Sequence, residues 1–243
     1  MKKIGIYFGT FAPMHIGHLH QVYKSAFEND EVLLVVSGYD NDRGDKIHLP
    51  LDQRLSVLTD FFSDEPHIHV RKLDENDLPP MPNGWNEWSA RLFQLIDALD
   101  NGPFLATFYV GEPEYVVELE KRFPKNENKY HVKIADRTAI PISATKIRQA
   151  PHQYWDQIIP AFHPFFAQTV LVSAEQATTL CQRLEKICPN SGLTFVSADE
   201  HPKHSSADFV LQLQAQSLMD AFYEAIDAIN EKTHLQLLRL KNE

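Results

Sequence analysis

His15 and His18 stand three residues apart at the end of the run Gly9-Thr10-Phe11-Ala12-Pro13-Met14-His15-Ile16-Gly17-His18. Residues at that spacing share one face of a helical turn. A helix start exposes unpaired N–H groups and the positive end of the helix dipole, so it attracts anions. Imidazole N–H donors on that turn suit the α- and β-phosphate oxygens of a nucleotide. Gly9 permits close backbone approach to a ligand, and Thr10 and Phe11 continue the same turn. Gly17 is expected to let the helix start lie against the ligand with no side chain between them. Two other readings compete. Twelve histidines occur in the chain, so a single one carries little weight, and a His pair at this spacing also suits a metal. Two histidines, two glycines and a proline at one junction favour phosphate. The dinucleotide fingerprint G-x-G-x-x-G is absent.

A second constellation is Ile142-Ser143-Ala144-Thr145-Lys146-Ile147-Arg148. Ser143 is an expected N-cap. Its hydroxyl, that of Thr145 and the free N–H groups can hold β- and γ-phosphates. Lys146 and Arg148 are cations in the first turns, where the dipole disfavours them, which points to an anion nearby. A charged, solvated helix start is the alternative. Arg43 and Lys46 lie in a polar loop that either closes over a phosphate or is simply solvated. Arg54, just inside the next helix, is the stronger phosphate candidate of that region. No carboxylate cluster nominates a metal site.

The elements that must position these groups alternate. Residues 3–8 read as a buried strand. Leu19, Val22, Tyr23, Ala26 and Phe27 form one helical stripe, and Val32 to Val36 form a second buried strand. Helices are expected at 51–62, 87–99, 113–123 and 143–149, with strands at 68–70, 105–110 and 130–134. Residues 74–84 are a Pro-rich loop. This predicts an α/β fold, a Rossmann-like doubly wound parallel sheet of about five strands over residues 1–150. Prolines 151, 160 and 164 mark a connecting segment over 151–167. Residues 168–243 form a small C-terminal α/β extension, with strands at 169–172, 193–196 and 209–213 and helices at 175–187 and from 218 to about 238.

The 243 residues carry a formal charge of -10. An acidic surface repels nucleic-acid phosphates, so no nucleic-acid partner is expected. Cys181 and Cys188 suggest neither a disulfide framework nor a zinc site. No apolar stretch approaches signal-peptide or membrane-spanning length. A reduced, cytoplasmic protein with no membrane partner is expected; a homo-oligomer is possible.

Gly9 to His18 resembles the G-x-F-x-P-x-H-x-G-H signature of the HxGH nucleotidyltransferase superfamily. Ile142 to Arg148 resembles its second signature, I-S-x-T-x-I-R. More specifically, Pro82-Asn83-Gly84-Trp85-Asn86-Glu87-Trp88-Ser89 is similar to a segment of the bifunctional NMN adenylyltransferase/ribosylnicotinamide kinases, the NadR family. Asp136-Arg137-Thr138, Gln153-Tyr154-Trp155 and residues 164–170 continue the likeness. It covers about residues 3–172.

The resemblance implies transfer of AMP from ATP to NMN, giving NAD and pyrophosphate, with Mg²⁺ accompanying ATP. His15 and His18 would stabilise the α-phosphoryl group; Lys46 and Arg148 would neutralise the leaving pyrophosphate. Gly111, Glu112 and Arg137 fall where such enzymes hold adenosine. An indole face attracts the cationic nicotinamide ring. Trp85 is the expected platform, with Trp88 either a second face or core, and Asn83 or Asn86 is expected at the carboxamide. The likeness breaks after residue 172. The chain there reads Ser173-Ala174-Glu175-Gln176-Ala177-Thr178-Thr179, and no G-x-x-x-x-G-K-[ST] occurs anywhere. Kinase activity is therefore not expected. Neither is repressor function, since no DNA-binding segment precedes the first strand. Three alternatives stay open: nicotinate mononucleotide as acceptor, a non-catalytic ATP or NAD sensor, and pantetheine-phosphate or cytidylyl transfer.

Overall fold

In the computed structural model the run Lys2–Gly9 is strand β1, the central strand of a five-stranded parallel sheet. The structure describes residues 1–99, 102–136, 139–200 and 206–238. The other strands are β2 (Glu31–Gly38), β3 (Ile68–Asp74), β4 (Phe104–Val110) and β5 (Lys129–Ile134), in the order β3-β2-β1-β4-β5. The helices between them are α1 (Ile16–Glu28), α2 (Leu51–Phe61), α3 (Trp85–Asp97) and α4 (Pro113–Glu120), with α5 (Ala144–Gln149) following β5. The expected doubly wound parallel sheet is the fold observed.

Strand alternation assigns the two faces. Ile4 and Ile6 of β1 join Leu33, Val35, Phe108 and the buried stripe of α3 in one core. Gly5 faces the other way. A Cβ there would collide with Ser25 of α1, so glycine lets α1 lie close to the sheet.

Three of the boundaries that differ from expectation have a clear cause. β3 extends to Asp74, pairing opposite Gly38, because an edge strand tolerates the exposed Arg71 and Lys72. Helix α3 begins at Trp85 rather than Glu87. Trp85, Trp88, Leu92 and Ile96 are all buried and recur at helical spacing, so both tryptophans belong to the core stripe.

The chain divides into two compact units, Met1–Ala144 and Thr145–Glu243. In the second, β6 (Gln168–Ser173), β7 (Leu193–Ser197) and β8 (Phe209–Gln212) form a parallel sheet in the order β7-β6-β8. It packs with α6 (Ala177–Ile187) and α7 (Leu218–Thr233). Residues 151–167, expected as a connecting segment, are part of this unit; they carry two 3-10 turns and bury Ile158, Ile159 and Phe162. The third shifted boundary is the end of α7, at Thr233. His234 is left-handed (φ 58°) and its N–H closes on the Asn230 carbonyl, a common helix stop. Among the described residues no helix is long and apolar enough to cross a membrane. Cys181 and Cys188 are both unpaired and buried.

Candidate active site

The order β3-β2-β1-β4-β5 reverses direction between β1 and β4. Open parallel sheets bind ligands at such a switch point, beyond the carboxyl ends of the strands. A cleft lies there. The end of β1 and its turn contribute Phe8, Gly9, Thr10, Phe11 and Ala12. Ser37 and Gly38 end β2 and are followed by Tyr39, Asp42 and Arg43. Glu75 follows β3, and Gly111, Glu112 and Tyr115 follow β4. Tyr7, His18, Val110 and Ala144 complete the lining. The cleft is partly open to solvent and holds about 250 Å³ of accessible space.

The turn after β1 is built tightly. Phe11 is left-handed (φ 48°) and buried. Bulky side chains rarely adopt this conformation, and such strain concentrates at functional sites. A Cβ on Gly9 would meet the Phe11 ring at 3.3 Å, so the glycine leaves that ring its place. Helix α1 then starts with His15 as N-cap. The His18 N–H donates to His15 Nδ1 (3.3 Å), and the His15 N–H donates to His18 Nδ1 (3.4 Å). The two rings stack with centroids 3.6 Å apart, and the edge of Phe11 meets His18 at 5.2 Å. Each Nδ1 thus serves as an acceptor, which leaves the ring proton on Nε2. His18 lines the cleft. His15 is 5% exposed and lies behind.

The structure redistributes several expected roles. Gly17 does not touch the cleft. A Cβ there would meet the His15 ring at 3.1 Å and Ile142 at 3.3 Å, so this glycine makes room for protein rather than for ligand. Arg54, expected at a phosphate, is fully buried. Its guanidinium grips Asp42 with both nitrogens, at 3.2 and 2.7 Å. The Asp42 carboxylate also accepts from the N–H groups of Gly44 and Asp45. Arg54 therefore shapes the loop after β2 from inside, while its neighbour Arg43 is the cation that lines the cleft. Lys46 is exposed in a 3-10 turn (Asp45–Ile47) and is not part of the lining.

Trp85 is 4% exposed and Trp88 2%, and neither lines the cleft. They stand behind the aromatic residues that do. Phe8 packs edge-on to Trp88 at 5.0 Å, and Tyr115 to Trp85 at 5.1 Å. Phe8 and Tyr115 themselves pack 5.0 Å apart. Asn83 is exposed outside the lining, and Asn86 Oδ1 accepts from Arg122. Gly111 and Glu112 do line the cleft. Arg137 lies outside the described residues. Ser143 directly precedes α5. Thr145 and Arg148 fall in the second unit, where the Arg148 guanidinium donates to Thr145 Oγ1 at 3.0 Å.

Sequence reasoning missed Glu75 and Tyr115. Glu75 Oε1 accepts from Trp88 Nε1 at 3.2 Å. Burial pushes its carboxyl up from the ordinary carboxylate value, and hydrogen bonds from Trp88 and Ser37 only partly restore it. Burial, with the charges of Glu112 and Glu75, likewise pushes the Tyr115 phenol up to about 12. Among the described residues no three His, Cys, Asp or Glu side chains are grouped to hold a metal ion.

A cytidylyltransferase-like family model matches residues 6–150. The chain is 28% identical over 199 residues to the trifunctional NAD biosynthesis/regulator protein NadR of Salmonella typhimurium strain LT2. That alignment covers 76% of this chain and 47% of the relative, so the chain spans about half the length of this curated relative. Over 29% of its length it is 35% identical to a probable nicotinate-nucleotide adenylyltransferase of Clostridium novyi strain NT, covering 36% of that protein. A crystal structure of NadR protein in complex with NR superimposes with a TM-score of 0.80 at 34% identity, covering 99% of this chain and 98% of the other. A second, of NadR protein in complex with NAD and AMP-PNP, gives 0.74 at 35% identity, covering 97% and 89%.

Proposed function

Because the chain belongs to the cytidylyltransferase-like family, we propose that its cleft transfers AMP from ATP to nicotinamide mononucleotide, forming NAD and releasing pyrophosphate. The observation that carries this reading is the reciprocal His15–His18 cap, which fixes the His18 ring at the lining of a cleft at the switch point of the sheet. The names of the similar proteins support the same chemistry.

The acceptor is a phosphate monoester with a second pKa of about 6, hence a dianion at neutral pH. It needs no general base. The reaction is an in-line displacement at the α-phosphorus of ATP, and the protein's work is positioning and charge stabilisation. His18 donates to the α-phosphoryl oxygens as negative charge builds there. His15 holds the tautomer of His18 and, through it, the donor direction. Arg43 supplies positive charge at the rim. Ser143, from the second signature motif, serves the distal phosphates. Gly111 and Glu112 hold the adenosine side. Phe8 and Tyr115 replace Trp85 as the faces offered to the pyridine ring. Mg²⁺ would accompany ATP as its counter-ion, keeping several of its waters.

Incubation with Mg-ATP and nicotinamide mononucleotide tests the reading. Stoichiometric pyrophosphate and NAD are the expected products. ATP binding without pyrophosphate release would instead establish a sensor. The second acceptor, nicotinate mononucleotide, is favoured by the names of the shorter relatives and belongs in the same assay. Phosphoryl transfer is not part of the reading: between β6 and α6 the chain has neither the glycines nor the lysine of a P-loop.

A further inference from the structure

Granting the adenylyl-transfer reading, we infer that Glu75 selects the acceptor: its carboxyl group accepts the pyridine ring that carries a carboxamide and turns away the one that carries a carboxylate.

The argument starts with how firmly this side chain is held. Glu75 leaves the end of β3, and its N–H donates to the Gly38 carbonyl at 2.8 Å, tying it to the end of β2. Its Oε1 receives the Trp88 indole N–H at 3.2 Å, and the nearby Ser37 favours the ionised carboxyl. Its backbone is thus tied to β2 and its carboxyl to α3. It lines the cleft beside Phe8 and Tyr115. One acid thus borders an aromatic wall on the side of β1 where β2 and β3 end, while Gly111 and Glu112 lie past the switch point at the end of β4.

Among the described residues the acid also makes no ion pair, although Arg43 acts on it. The charges that act on it are a like one, Asp42, and the exposed Arg43. Partial burial of an unpaired carboxyl is unfavourable, and a bound cation or N–H donor relieves it. The ring of nicotinamide mononucleotide supplies both: a positive charge to stack on the aromatic wall and an amide N–H₂ for the free lone pairs of the carboxyl. Nicotinate mononucleotide has the same ring but sets a carboxylate where the amide would be. Two carboxylates sharing one site repel, so one must take up a proton. Hydrogen-bonding sites discriminate strongly for this reason: the wrong ligand leaves buried polar groups unmatched.

The test measures kcat/KM for both mononucleotides with Mg-ATP, in the wild type, Glu75→Gln and Trp88→Phe. The wild type is expected to prefer the amide. Glu75→Gln should reduce that preference at least about tenfold. Trp88→Phe keeps the ring packing but removes the indole donor, and should shift the preference the same way by less. A purely structural Glu75 would slow both acceptors equally. An unchanged ratio in Glu75→Gln, or a wild type that prefers the acid, would overturn the inference. If neither acceptor releases pyrophosphate, the transfer reading fails separately. The ratio is then read from calorimetric binding of the two mononucleotides to wild type and Glu75→Gln, judged by the same criteria.

Discussion

His15 and His18 cap each other: each backbone N–H donates to the other's Nδ1, and the rings stack 3.6 Å apart. The arrangement is a capping box made with imidazoles, and it satisfies two orphan N–H groups at the start of α1. It also divides the labour, since only His18 lines the cleft. His18→Ala should lower kcat by about 10²–10³-fold, the usual effect of losing one donor to a transition-state oxyanion. His15→Ala should cost about 1 kcal/mol of stability through the lost cap and lower kcat without raising KM for ATP in proportion. Steady-state kinetics with chemical unfolding separates the two effects. An active His18→Ala enzyme would remove the assigned role.

Gly17 extends this argument one residue along. In a helix, Gly→Ala ordinarily stabilises by about 1 kcal/mol. Here the added methyl would press on the His15 ring at 3.1 Å and on Ile142 at 3.3 Å. Gly17→Ala should therefore leave the unfolding free energy within about 1 kcal/mol of wild type, yet lower kcat by displacing the stacked pair. Equal activity in the variant would show that the pair tolerates the shift.

The sheet was legible because its strands are apolar runs bounded by glycine and charge, and the phosphate turn because its residue types coincide at one strand–helix junction. Trp85 was misplaced because Pro79, Pro80, Pro82, Asn83 and Gly84 signal a loop up to its threshold. The spacing of residues 85, 88, 92 and 96 carried the answer, a core stripe, and outweighed the loop signal. Arg54 could not be read from sequence, since its meaning comes from Asp42, twelve residues away across a loop. Glu75 was likewise invisible. An acid after an edge strand is unremarkable until the Trp88 indole is seen to hold it.

The Asp42–Arg54 pair is buried on both sides, at 4% and 0% exposure. Breaking a buried pair by removing one partner costs about 3–5 kcal/mol, because the other charge is left unmatched. Asp42→Asn should lose stability of that order at pH 7 in urea unfolding. The pH dependence has a definite sign. Burial raises the Asp42 carboxyl, but the Arg54 guanidinium and two N–H donors hold it below its ordinary 3.8. Its contribution is then complete above about pH 4 and falls away as pH drops through the lower folded value. The difference between Asp42→Asn and wild type should be constant from pH 7 to 5 and shrink below pH 4. A gap that persists undiminished at pH 2 would refute an ionic origin.

Glu75 has the opposite sign. Its carboxyl is raised in the folded protein, chiefly by burial, so the fold binds that proton more tightly than the unfolded chain does. Ionised Glu75 therefore costs stability, and the cost is present at every pH above the folded value. It declines as pH falls through that value and vanishes below the ordinary 4.5. Glu75→Gln should raise the melting temperature at pH 7, with the gain fading toward pH 4. A saturating cationic mononucleotide should narrow the gap at pH 7, because it stabilises the ionised wild type more than the glutamine variant. Melting curves at pH 7, 5.5 and 4, with and without the ligand, make the comparison. A glutamine variant less stable than wild type at pH 7 would mean that the carboxylate is a net structural asset. The acid would then be retained for the fold rather than for the ring.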